Sequence, residues 1–381
     1  MSLIEEINKR KNDGLFRSRK ILDGAQGAHI KIGGREFLNF SSNDYLGLAN
    51  NSALKSNMVH AINEYGIGAG SSQLVVGHSK PHNMLEKKIA SFLNRDRALV
   101  FTSGYLANLA IASVMIDSDT VVIQDKLNHA SLIDAAQLSK GRLIRFHHKD
   151  MVHLKTLLEK NKQHNLLVMT DGVFSMDGDF APLKEIVGLC EKYNAILIVD
   201  DAHGIGVLGE TGGGLLEHLN LNQKQVPLLI GTFGKSFGAS GAFVSGSSIY
   251  IESFIQKART YIYTTAMLPA LAATLCHAID LVINGSDLRQ QINILINYYK
   301  RLLKESGLSV SESCSHIQPY IVGAAGDAVR LSESLCLHNI LVAAIRPPTV
   351  PRDSSRLRIS LTAEHTKENV ADLVAAISLV K

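Results

Sequence analysis

Apolar residues in the middle of the chain fall in short unbroken runs, not in strict alternation with polar ones. Val121 to Gln124, Arg142 to Phe146, Leu166 to Thr170, Ile196 to Val199 and Leu228 to Gly231 each have strand length, and longer stretches with helical spacing separate them. Leu166 to Thr170 and Ile196 to Val199 are nearly continuous in apolar side chains, which requires cover on both faces of a sheet. The alternation predicts an α/β fold with a mostly parallel central sheet sheathed by helices. Ahead of it, Ser79 stands where a helix cap belongs, Pro81 suits the first turn, and Leu85, Ile89, Phe92 and Leu93 make an apolar stripe.

The flanks read differently. An opening helix is expected from Leu3 to Asp13, with Ser2 and Glu5 at capping-box spacing, followed by short strands around His29 to Ile32 and Phe37 to Phe40. A helical region from Ile249 to Lys304, interrupted near Pro269 and Gly285, leads to a smaller α+β domain. That domain is expected to hold strands at Gln318 to Val322, Ile340 to Ile345 and Arg356 to Leu361, and helices at Asp327 to His338 and Thr366 to Val380. The expected organisation is therefore residues 1–50 as a helix with small strands, 51–285 as a large α/β domain and 286–381 as the α+β domain.

Composition narrows the function classes. The 381 residues are 46% hydrophobic, ordinary for a globular chain, and 39 basic against 35 acidic side chains leave a net charge of only +4, which supports no nucleic-acid claim. Six cations lie between Lys9 and Lys20, a pattern that an exposed amphipathic helix explains as well as polyanion binding. No apolar segment reaches the length of a membrane span, and the polar start argues against a removed leader. Cys190, Cys276, Cys314 and Cys336 lack zinc-site spacing and suit reduced, cytoplasmic thiols. The 30 glycines suit tight turns and close backbone approaches.

Polar chemistry gathers at strand ends. The run ILIVDDAHG delivers Asp200, Asp201 and His203 to the end of a buried strand, where a sheet-end cleft is expected. Lys235, in TFGKSFG, follows the next strand and supplies a nucleophile. Together they suit pyridoxal 5′-phosphate: Lys235 as Schiff-base amine, Asp200 beside the pyridine nitrogen, His203 on the phenolic oxygen. Singly, each has a structural alternative: Asp200 as a helix cap or magnesium ligand, His203 as a buried ring, Lys235 as a surface charge. Ser103, Gly104 and Tyr105 open a helix whose amides suit a phosphate, although a plain strand-to-helix turn fits as well. The Gly66 to Ser72 and Gly209 to Gly214 runs lack the spacing of dinucleotide or Walker loops, and the region from His147 to His153 lacks metal-ligand spacing. Arg346, Arg356 and Arg358 flank PPTVP, and an arginine fork suits a substrate carboxylate or a salt bridge.

With these motifs in order, the chain resembles the α-oxoamine synthases of the fold-type-I pyridoxal-phosphate enzymes over almost its whole length. The matching segments are FSSNDYLGL (Phe40 to Leu48), SGYLAN (Ser103 to Asn108), NHASLID (Asn128 to Asp134), GVFSMDGD (Gly172 to Asp179), DDAHG (Asp200 to Gly204) and TFGKSFG (Thr232 to Gly238). The resemblance implies Lys235 as cofactor-bearing lysine and acid/base, Asp200 on the pyridine nitrogen, His203 on the phenolic oxygen and His129 stacked on the ring. Gly104, Tyr105 and Thr232 match phosphate contacts, and Ser175 the cofactor-side serine. Thr264 and Thr265 match residues given across a homodimer interface. Asn43 and Arg358 match positions that orient the amino-acid carboxylate or product, and Arg17 and Arg346 the acyl entrance.

The implied reaction is decarboxylative condensation of an amino acid with an acyl thioester. RPPTVP (Arg346 to Pro351) favours L-alanine with pimeloyl-CoA or pimeloyl-acyl-carrier protein, giving 8-amino-7-oxononanoate, over a glycine C-acetyltransferase, 5-aminolevulinate synthase or serine acyltransferase. A noncatalytic pyridoxal-phosphate-binding scaffold is the alternative of a different class. The chain departs from the family pattern at three places: Asp171 stands for a usual glutamate, Gln73 for an arginine, and Val76 for a small polar residue. Glycines in AGSS, SGY, DDAHG and FGKSFG are expected to admit the cofactor close to backbone turns.

Overall fold

The computed structural model describes residues 2–380. They form two compact units: residues 51–174 with 180–286 make one, and the remainder, including the short segment Ser175–Asp179, makes the other.

The first unit is built on a seven-stranded sheet. Its spatial order is Arg97–Phe101, Ala242–Gly246, Leu228–Thr232, Ile196–Asp200, Asn165–Asp171, Thr120–Asp125, Arg142–Phe146. From Leu228–Thr232 to Arg142–Phe146 every pairing is parallel, whereas Ala242–Gly246 runs antiparallel to both its neighbours. The five strands expected from the apolar runs are all present, most extended by a residue at one or both ends. Arg97–Phe101 and Ala242–Gly246 complete the sheet beyond them. The AFVSG sequence of the latter carries only two large apolar residues, so its strand character comes from pairing on both edges and burial of all five positions.

Helix Gly104–Met115 lies on this sheet with Ala107, Ala110 and Ile111 buried among Val122, Met169, Ile198, Ile230 and Val244. Each fully buried large side chain contributes roughly 1.5–3 kcal/mol. The two alanines let the helix come close to the strands, and Asn108, between them in sequence, is buried as well. Ser79 caps helix Lys80–Phe92 with Pro81 in its first turn, as the sequence predicts. The segment Gln73–Gly77 forms a short π-helix that no periodicity announced.

The second unit holds two three-stranded sheets. One orders His29–Ile32, Arg35–Asn39 and Ile340–Leu341; the other orders Ile317–Gly323, Ser355–Ser360 and Ala343–Ile345. The single strand expected over Ile340 to Ile345 is therefore two. Ile340–Leu341 pairs in parallel with Arg35–Asn39, then the chain passes the buried Val342, and Ala343–Ile345 pairs antiparallel with Ser355–Ser360. Continuous apolar sequence carries no mark of that change of partner. Helix Ser286–Glu305 buries Ile292, Leu295, Ile296, Tyr299 and Leu303 along one face. The capping box of Ser2 and Glu5 closes helix Leu3–Asn12, which buries none of its residues.

Candidate active site

Parallel strands present their carboxyl ends together, and here three of them carry the site. Ile196–Asp200 ends on Asp200, Asn165–Asp171 on Asp171, and the loop after Thr120–Asp125 brings in Asn128 and His129. The Asp200 carboxylate accepts from the Asn108 Nδ2 at 2.7 Å and from the Ala202 amide at 3.1 Å. Asn108 Nδ2 also lies 2.9 Å from the Ser131 Oγ, which meets the His129 Nδ1 at 2.8 Å. His129 caps helix Ala130–Gln137, its Nδ1 accepting from the Ser131 amide at 3.3 Å. Burial lowers the His129 ring below its ordinary value; Asp200 opposes that and Lys235 reinforces it.

Lys235 follows strand Leu228–Thr232 in a tight turn, where its carbonyl accepts from the Gly238 amide at 2.9 Å. The Thr232 hydroxyl holds the entry to that turn, donating to the Gly241 carbonyl at 2.9 Å and accepting from the Gly234 amide at 3.1 Å. The Lys235 charge acts on His129, Asp171 and Asp201 alike. Residues spread over 72 positions, from His129 to Asp201, thus come within reach of one lysine's charge. His203 is buried in the turn after Asp200.

Asp201 has a different use from its neighbour. It is fully buried, accepts from the Leu215 amide at 2.6 Å, and burial pushes its carboxyl up to about 8. Gly204 and Gly214 make room for it: a Cβ on either would come within 2.2 Å of an Asp201 oxygen. Gly204 therefore serves the packing of Asp201, a correction to the expectation that the DDAHG glycine admits the cofactor.

Gly104 opens helix Gly104–Met115, a Cβ on it would meet nothing within 4 Å, and the Ser103 hydroxyl caps the helix by accepting from the Leu106 amide at 3.3 Å. The Tyr105 phenol donates to Asp134 at 2.6 Å. Thr264 and Thr265 lie beside the Gln73 segment, with Thr265 bridged to Ser72. Gln73 is buried and ties Val100 O, at 3.4 Å, to the His78 ring, at 2.6 Å.

The remaining predicted residues belong to the other unit. Arg358 is buried, and its guanidinium donates to the Ser175 carbonyl at 2.6 Å, the Asn43 Oδ1 at 3.1 Å, the Ser360 Oγ at 2.9 Å and the Tyr45 hydroxyl at 3.3 Å. All four partners are neutral, which leaves a buried positive charge available to an anion. Arg356 differs: it pairs with Asp177 and with the Met176 carbonyl, a structural salt bridge. Arg17 and Arg346 line a cavity of about 650 Å³ with Phe16, Val329 and Ile345. Arg17 reaches Thr349 Oγ1 at 3.4 Å and Arg346 the Phe16 carbonyl at 2.5 Å.

Sequence reasoning did not assign Asn108 or Ser131, the two links between Asp200 and His129. Asn108 sits within the quoted SGYLAN motif on a helix of otherwise apolar buried residues, and a buried amide in that setting is the signal.

A lysine, a buried strand-end carboxylate and a neighbouring histidine thus gather at the strand ends of an α/β sheet, the residue types that pyridoxal-phosphate chemistry uses. The chain belongs to the aminotransferase class I and II family, whose profile matches residues 35–377, and within it to the α-oxoamine synthases. It is 47% identical over 375 residues to the 8-amino-7-oxononanoate synthase of Hahella chejuensis strain KCTC 2396, covering 98% of this chain and 95% of that one. The enzyme of the same name from Nitrosococcus oceani strain ATCC 19707 is 46% identical, over 98% and 99% of the two chains. Among solved structures, serine palmitoyltransferase with its PLP internal aldimine superposes with a TM-score of 0.93 at 28% identity, covering 99% of this chain and 96% of that one. The 8-amino-7-oxononanoate synthase from Francisella tularensis gives 0.79 at 31% identity, covering 90% and 97%.

Proposed function

We propose that this protein condenses L-alanine with a pimeloyl thioester, with loss of carbon dioxide, to form 8-amino-7-oxononanoate in biotin synthesis. The observation that carries the reading is near-full-length identity of 47% and 46% to synthases of that name, joined to a site of matching chemistry. The residues present fit pyridoxal 5′-phosphate: Gly104 leaves space before a helix start, and Asp200 is a buried acceptor ready for a protonated ring nitrogen.

The cofactor supplies an electron sink for the charge left when the amino-acid Cα loses its proton. Lys235 Nζ holds the cofactor, and then takes and returns the Cα proton. Asp200 keeps a proton on the ring nitrogen, and Asn108 fixes the carboxylate that does so. His129 would stack on the cofactor ring, and His203 would donate to its phenolic oxygen. The helix start at Gly104 and Tyr105, with Thr232, receives the phosphate. Arg358 and Asn43 hold the alanine carboxylate, and Ser175 completes the cofactor side. Arg17 and Arg346 take the acyl donor along the cavity they line.

We further propose a cytoplasmic homodimer in which Thr264 and Thr265 complete the partner's site. Four free thiols suit a reducing compartment, and no helix among the described residues is long and apolar enough to cross a membrane. The exposed apolar residues Leu74, Val75 and Val76 lie close in sequence to Ser72, which bridges Thr265, as a subunit contact there would need.

Product mass spectrometry tests the reaction. Purified holoenzyme given L-alanine and pimeloyl-CoA or pimeloyl-acyl-carrier protein should form 8-amino-7-oxononanoate. Turnover of glycine with acetyl-CoA in its place would make it an acetyltransferase.

A further inference from the structure

Asp171 and Asp200 are register partners on adjacent parallel strands, each the last residue of its strand. Such strands lie about 4.8 Å apart, and both residues are over nine-tenths buried, at 4% and 7% exposure. Asp171 Oδ2 accepts from the His129 backbone amide at 2.8 Å. Its own amide donates to Asn128 Oδ1 at 3.2 Å, while Asn128 Nδ2 donates to the Met169 carbonyl at 2.8 Å. The Asn128–His129 dipeptide is thereby clamped onto the end of the Asp171 strand. With the Asn108 and Ser131 links already described, the contacts close a circuit: Asp200, Asn108, Ser131, His129, Asp171, and back across the sheet to Asp200.

We propose that Asp171 is a positioning residue that works as a neutral carboxylic acid, fixing the His129 backbone over the cofactor. Two carboxyls at paired, buried strand ends do not both ionise readily. Burial pushes the Asp171 carboxyl well above the ordinary carboxylate range; Asp200 and Asp125 add to this, and the His129 amide and the Lys235 charge oppose it. A neutral acid still accepts the His129 N–H through its carbonyl oxygen, so position is held without a second charge.

The inference rests on Asp200 and His129 facing the cofactor, and its test separates the two. Asp171→Asn keeps a neutral acceptor; Asp171→Ala removes it. Histidine-selective NMR of the apoenzyme reports His129 with no cofactor or turnover, and the kcat pH profile of the holoenzyme reports charge. Asp171→Asn should keep the His129 resonance, stay within about threefold of wild-type kcat, and leave the pH profile unmoved; Asp171→Ala should shift the resonance and lose roughly tenfold to a hundredfold in kcat. An Asp171→Asn protein with an unmoved His129 resonance but a loss as large as that of Asp171→Ala overturns the neutral acid. An Asp171→Ala protein with an unchanged resonance overturns the positioning role. Should Asp171→Ala not fold, Asp171→Asn decides the charge by itself. If wild-type enzyme makes no aminooxononanoate, the apoenzyme spectra still decide the His129 geometry.

Discussion

Asn108 Nδ2 stands 2.7 Å from Asp200 Oδ2, and the same amide nitrogen is 2.9 Å from Ser131 Oγ. One buried side chain therefore orients both the Asp200 carboxylate and the serine that steadies His129. A helix residue 92 positions before Asp200 does this because the sheet order lays helix Gly104–Met115 over the ends of the central strands.

Removing that amide should weaken the cofactor site directly. Hydrogen bonds to charged groups are worth about 1.5–3 kcal/mol, so Asn108→Ala should lose roughly tenfold to a hundredfold in pyridoxal-phosphate affinity. Spectrophotometric titration of the apoenzyme measures it. Wild-type affinity in that variant would remove Asn108 from the site.

Lys235→Ala should lose the borohydride-trapped cofactor adduct while keeping the circular dichroism of the fold. Lys235 is only half-buried and its turn is held by backbone and Thr232 contacts, so the chain does not need its amine to fold. Peptide mapping that finds the adduct on another lysine would end the assignment.

The buried charge of Arg358 predicts a substrate effect. Arg358→Lys keeps a cation but loses the fork that reaches Ser175, Asn43 and Tyr45, so KM for L-alanine should rise by about tenfold or more with little change in the acyl-donor KM. Asn43→Ala, a milder change in the same group, should move KM in the same direction. Steady-state kinetics with each substrate varied separately tests both, and an effect confined to the acyl donor would reassign the pair.

His365 gives the fold a pH dependence of its own. Its ring stacks on Phe40 at 4.3 Å, its Nε2 meets the Asn39 carbonyl at 3.1 Å, and burial lowers it from 6.5 to about 4. Between those values the unfolded chain binds a proton that the folded ring refuses. Stability is thus complete above about pH 6.5, falls as the pH drops towards 4, and levels off below. His365→Gln should flatten that slope in urea unfolding curves taken across the window. An unchanged slope would place the acid sensitivity elsewhere.

Strand existence was legible where both sheet faces are covered, as at Ile196–Asp200, because burial on both faces demands an unbroken apolar run. It was not legible at Ala242–Gly246, whose small residues become a strand through two flanking partners, nor at the break between Ile340–Leu341 and Ala343–Ile345. The candidate cofactor residues were legible as motifs, since Lys235 and the DDAHG run each follow a strand. Their supports were not: Asn108 and Ser131 look like ordinary polar helix residues until the helices are placed.

The sequence by itself determined the α/β architecture, the lysine and the strand-end carboxylate, since apolar periodicity and reactive residue types are local properties. Only the tertiary structure decided that Asp171 lies beside Asp200, that Asn108 and Ser131 join Asp200 to His129, and that Gly204 makes room for Asp201. Those relations depend on which strands are neighbours and how deeply each group is buried. Pairing across a parallel sheet joins residues whose separation along the chain carries no trace of it.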